Sequence, residues 1–132
     1  MKRRLETVKR ILAVHQQLQK RAEARLAELQ RQEFGLVEQE RELVQFLNGD
    51  LMPSGAFATS VSRRFRSLAA RLALVRHAKE AQERQLLEQL RRLKRAERVA
   101  DTLLRDNRVV EERKSLADLI ESAVGRSSAS LG

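Results

Sequence analysis

Apolar side chains recur at alternating intervals of three and four residues from Leu5 to Leu47, at Leu5, Val8, Leu12, Ala22, Leu26, Leu29, Leu36, Leu43 and Leu47. His15, Gln19, Glu33 and Glu40 fill the other positions of the series, so nine of its thirteen members are apolar. Such spacing over so many residues places one stripe on one long α-helix and is the mark of a coiled-coil seam. Ile11 and Leu18 widen the stripe near its start, which suits a third packing surface there.

The series stops at Asn48-Gly49-Asp50, and Pro53, Ser54 and Gly55 follow within a few residues. A Gly just past a helix end and a Pro shortly beyond are stop signals, because neither continues a helix well. The single Pro and two of the five Gly fall in this stretch, which predicts one hairpin turn. The spacing then resumes at Val61 and runs through Phe65, Leu68, Leu72, Val75, Lys79, Gln82, Leu86, Gln89, Leu93, Ala96, Ala100, Leu103, Asn107, Val110, Lys114 and Ala117. The expectation is an all-α protein, a long antiparallel two-helix coiled-coil hairpin with a C-terminal helical overhang. It forms a single coiled-coil domain over 1–132, with helices over 3–47 and 59–124, a turn over 48–58 and a disordered tail over 125–132.

The two predicted arms are unequal. At about 1.5 Å rise per residue the first makes about 65 Å of helix and the second about 100 Å. With Leu47 opposite Thr59, paired positions add to 106 and Leu5 falls opposite Asp101. The second helix then projects by about 20 residues, or about 30 Å. That overhang carries a competing stripe, Val109, Leu116, Ile120 and Ala123, which predicts either a register shift after Leu103 or a surface not paired within the chain. Glu6 with Arg10, Glu80 with Arg84, Glu88 with Arg92 and Asp101 with Arg105 stand four apart with the acid first, as on solvent-bathed helices.

Composition narrows the function classes. Charged residues make up 34% of the chain and aromatic ones 3%, with neither Trp nor Tyr, so a thick globular core is not expected. Lys and Arg number 27 against 18 acids, a formal charge of +9, which attracts acidic proteins, phosphate backbones and anionic membranes alike. The absence of Cys excludes disulfides, thiolate metal sites and thiol catalysis, and is compatible with a cytoplasmic setting. Glu6, Lys9 and Arg10 interrupt any apolar run that could follow Met1-Lys2-Arg3-Arg4, so neither a secretion signal nor a membrane span is predicted. No glycine-rich phosphate loop, nucleophile elbow or metal-spaced cluster occurs; no catalytic, cofactor-binding or metal residues are assigned, and the chain is not expected to be an enzyme.

Three groups remain as candidates. Arg84, Arg91, Arg98 and Arg105 recur every seven residues on the second helix, with Arg92, Lys94 and Arg95 adding to the band. This is either a solvated face or a contact for an acidic protein, with nucleic acid less favoured for want of stacking aromatics. Phe34, Phe46, Phe57 and Phe65 all lie on the loop-side half; Phe65 fits the seam, whereas Phe46 and Phe57 either close the tip as a small core or form an exposed apolar patch. His15 falls in the seam and His77 on the surface, about 20 Å apart along the helix axis, too far to share a metal.

A helix of about forty-five residues, a short turn and a longer second helix with a basic overhang together resemble the FliJ family, the small stalk proteins of flagellar and related type III export systems. The most suggestive local match is Gln39, Leu43 and Phe46, facing Phe65, Ala69 and Leu72. The resemblance implies that these six residues, near the hairpin tip, contact the export gate protein. It implies that the end built from both termini enters the ring of the export ATPase, with Arg3, Arg4, Lys9 and Arg10, together with Arg105, Arg108, Arg113 and Lys114, as contacts by location. Export chaperones are further implied partners, no small-molecule substrate is, and the place would be cytoplasmic, peripheral to the inner face of the membrane. The chain departs from the family in lacking its common Tyr and Trp, and holds only Glu111-Glu112-Arg113-Lys114 and Asp118 of the acidic pattern near the end of the second helix. The alternative expectation is a basic coiled-coil adaptor or scaffold that binds an acidic partner or nucleic acid.

Overall fold

The computed structural model describes residues 2–49 and 55–131, which form two helices, α1 over Lys2–Leu47 and α2 over Gly55–Leu131, packed antiparallel. Burial follows the seam. Every member of the α1 series from Leu5 to Leu47 is buried or half-buried, and so is every member of the α2 series from Val61 to Asn107. Val110, Lys114 and Ala117 continue the same spacing but are exposed, so pairing ends near Asn107.

The packing groups the chain into two compact units, residues 17–91 and residues 1–16 with 92–132. Polar residues stand in the seam at His15 and Gln19 on α1 and at Gln82 and Gln89 on α2, and also at Glu33, Glu40 and Lys79 within residues 17–91.

In residues 17–91 the core is Leu43, Val61 and Leu68, with Leu36, Leu47 and Phe65 packed against it. Ala22, Leu29 and Leu72 are also buried. Gln82 Nε2 donates to the Ala22 carbonyl at 3.3 Å, Lys79 Nζ donates to Glu33 Oε1 at 3.1 Å, and Arg76 Nε stands 3.7 Å from Glu33 Oε2. These contacts set the register near the predicted one. On the solvent side Arg31 donates to Glu28 at 2.7 Å; this bond, followed by one from Gln32, holds the Glu28 carboxyl below its usual range.

In the other unit Leu93, Ala96 and Ala100 are buried, and Leu5, Val8, Leu12 and His15 of α1 are half-buried. Beyond Asn107 every residue from Arg108 to Ser128 is exposed.

Helix ends differ from expectation at three of the four termini. The first helix starts at Lys2 and stops at Leu47 as the stop signals require. Asn48 N–H donates to the Val44 carbonyl at 3.0 Å, and Gly49 N–H donates to the Phe46 carbonyl at 3.2 Å, tightening the last turn. A Cβ on Gly49 would stand 3.2 Å from that same oxygen, closer than ordinary packing, so the glycine serves a close approach and not a left-handed φ. Of the predicted turn over 48–58, residues 50–54 lie outside the described residues, and 55–58 are already helical. Phe57 packs against Phe46, a tertiary contact that sustains the extra helical turn.

The tail predicted to be disordered from 125 is also helical, to Leu131. Gly125 costs a helix about 1 kcal/mol relative to Ala, which the neighbouring Ala123, Val124 and Arg126 tolerate in the absence of a following Pro.

Leu68→Ala should lower stability by about 2–4 kcal/mol, since it removes buried methyl groups from a thin core. Leu116→Ala should change it by less than about 0.5 kcal/mol, its side chain being exposed. Urea titrations followed by circular dichroism check both; equal losses would mean that the buried seam is misassigned.

Candidate interaction surfaces

At the hairpin tip Gln39, Leu43 and Phe46 come together, at intervals of four and three, on the side of α1 that faces the start of α2. They line a shallow groove with Phe57, Val61 and Arg64. The Phe46 and Phe57 ring centroids are 5.9 Å apart and the planes are tilted by 56°, a favourable aromatic geometry. Both rings remain about half exposed, at 48% and 49%, so the pair closes the groove without becoming a core. The patch is therefore both a ring–ring contact and an apolar surface.

The other half of the expected tip set goes elsewhere. Phe65 packs on the core, Leu72 is buried, and Ala69 is exposed. None of the three lines the groove. In a register near the predicted one Phe46 lies opposite Ser60, so Phe57, Val61 and Arg64 line the groove with it. A signal for Phe57 existed: it stands four residues before Val61, on the same side of a helix one turn earlier. Phe34 is exposed and lies outside this groove.

At the terminal end Arg3, Arg4, Lys9 and Arg10 are all exposed, as are Arg105, Arg108, Arg113 and Lys114. At 3.6 residues per turn the last four spread around the whole circumference of α2 and do not form one face. The overhang was expected to be basic, and the charges correct this. From 105 onward five basic residues, including Arg126, stand against five acidic ones, Asp106, Glu111, Glu112, Asp118 and Glu121. Residues 1–16 and 92–104 hold nine basic against three acidic residues, a net +6 of the chain's +9. The positive end is the paired stretch, whereas the overhang is neutral and amphipathic.

Of the two outcomes foreseen for the competing stripe, the structure shows an unpaired surface. Val109, Leu116 and Ile120 are exposed with Leu119 and Val124 beside them, and Ala123 is exposed as well. The arginine band at 84, 91, 98 and 105 is exposed along its length. His77 is exposed; His15 is half-buried in the seam, and its Nδ1 is closed off from solvent without a hydrogen-bond partner. Among the described residues no group of three or more His, Asp or Glu could hold a metal, and no helix is long and apolar enough to cross a membrane.

No protein-family model, curated protein or solved structure matches the chain.

A double-mutant cycle on Phe46→Ala and Phe57→Ala should give a coupling energy of about 0.5–1.5 kcal/mol in urea unfolding. Additive losses would show that the two rings do not meet in solution.

Proposed function

We propose that the chain is a non-enzymatic stalk and coupling protein of a flagellar or related type III export apparatus, with its terminal end in the ring of the export ATPase and its hairpin tip against the export gate. The observation that carries this reading is the unpaired end of α2. From Arg108 to Ser128 the helix is exposed on every side, yet Val109, Leu116, Leu119, Ile120 and Val124 keep an apolar stripe in water. A stripe of that kind is stabilised by a partner that covers it.

The spread of charged residues, basic and acidic alike, suits a socket better than a flat surface. Arg105, Arg108, Arg113 and Lys114 point around the full circumference of α2, and a ring that encloses the helix can meet all four. Arg3, Arg4, Lys9 and Arg10 of α1 would meet the rim. At the other end the Phe46–Phe57 groove offers a half-exposed aromatic anchor of the kind that protein interfaces use, so Gln39, Leu43 and Phe46 serve the gate contact together with Phe57, Val61 and Arg64. Phe65, Ala69 and Leu72 do not line that surface. A helix pair stiffened by its seam passes rotation or asymmetry from ring to gate without hydrolysing anything itself. The protein then works at the inner face of the membrane through its partners, with export chaperones as further ligands.

Capture by the export ATPase encoded in the same genome tests this. The intact chain should retain the ATPase, Leu116→Glu with Ile120→Glu should abolish retention with helicity unchanged, and Phe46→Ala with Phe57→Ala should leave it intact. Failure of the intact chain to bind, or a stable dimer joined through its overhangs in sedimentation, would refute the stalk reading.

A further inference from the structure

A second groove, in the unit formed by 1–16 and 92–132, serves neither the tip nor the overhang. Val8, Ile11 and His15 line it from α1, and Ala96 and Val99 from α2. Its floor is apolar. Ala96 is buried in the seam, whereas Ile11 and Val99 remain 47% and 52% exposed although they flank the paired line. Arg92 and Arg95 complete the lining, and Arg4 continues the line of Val8, Ile11 and His15 one turn earlier at helical spacing.

Groove shape and charge together select the occupant. The α1 wall spans two helical turns, about 10 Å, and a trough between two antiparallel helices accepts the apolar ridge of a third. The surrounding paired stretch, 1–16 and 92–104, holds nine basic and three acidic residues, so the flanks of that third helix are favoured when they carry carboxylates. Phosphate backbones fit less well, because they need no apolar floor and no Phe lies in 1–33 or 66–132 on which a base could stack. A membrane surface takes up a convex apolar face, whereas Ala96 lies recessed between helices. We propose that this groove docks an amphipathic α-helix of a partner protein, seated by its apolar stripe on Ile11 and Val99 and held by carboxylates against Arg4, Arg92 and Arg95. This site shares only Arg4 with the contacts proposed for the ring, none with those proposed for the gate, and stands whether or not the export reading holds.

Fluorescence anisotropy with a labelled three-heptad helical peptide, Leu along one stripe and Glu on both flanks, tests the proposal on the full chain. The Glu-flanked peptide should bind at least about tenfold more tightly than the same peptide with Lys flanks. Ile11→Ser with Val99→Ser should weaken it by about tenfold, and so should Arg92→Gln with Arg95→Gln. Should the first pair lose helicity by circular dichroism, the arginine pair decides. The proposal is overturned if both variant pairs bind the Glu-flanked peptide as the parent does. It is also overturned if duplex DNA or phosphatidylglycerol vesicles bind the parent and the Ile11→Ser, Val99→Ser variant equally and displace the peptide, since the surface would then be a plain polyanion site.

Discussion

Two helices that meet along one line can each bury only one stripe, and this geometric limit governs the whole molecule. The buried set among the described residues is small and uniform, Ala22, Leu29, Leu43, Val61, Leu68, Leu72, Leu93, Ala96 and Ala100, and no side chain in it is fully enclosed. Packing this thin leaves little apolar stabilisation per residue, so continuity of the stripe matters more than the depth of any one position. The chain divides into its two units between residues 16 and 17 on α1 and between residues 91 and 92 on α2.

Polar seam positions are not merely gaps. Glu33 draws Lys79 and Arg76 to itself across the helix pair, and Gln82 donates to the Ala22 carbonyl, so each polar residue accepts only a narrow choice of partner. Leucine would pack with less discrimination and would tolerate a slipped register. Partly exposed ion pairs contribute little to stability, and the use of Glu33 is better understood as alignment, a role that buried polar residues have in other coiled coils.

Periodicity carried most of the fold. Every member of the first series proved inward-facing, and Asn48-Gly49 ended α1 where the spacing ended. Local rules failed where tertiary contact or simple persistence outweighed them. The start of α2 was expected at 59 because Pro53 and Gly55 look like turn residues, yet Phe57 meeting Phe46 gives the helix a reason to begin at Gly55. The tip groove draws on Phe57, Val61 and Arg64 and not on Phe65, Ala69 and Leu72, as pairing near a sum of 106 already implies, since it sets Phe46 opposite Ser60 and Leu43 opposite Arg63. The terminal cations were found as residues but not as a surface: summing charge over the whole chain hid the neutrality of 105–132 and the concentration of charge beside the groove at Val8 and Val99.

The length by which α2 outlasts its partner bears on how the two parts of that helix depend on each other. A solitary helix in water has a costly nucleus and gains little per added residue, so the stretch after Asn107 persists as propagation from the turns that α1 holds in place. Loosening of the pair around Ala96, Ala100 and Leu103 therefore reaches the far end as lost helicity. Thermodynamic reciprocity runs the other way as well: whatever grips the far end and keeps it helical also tightens the pair behind it. The overhang is in this sense both a sensor of the seam and a handle on it.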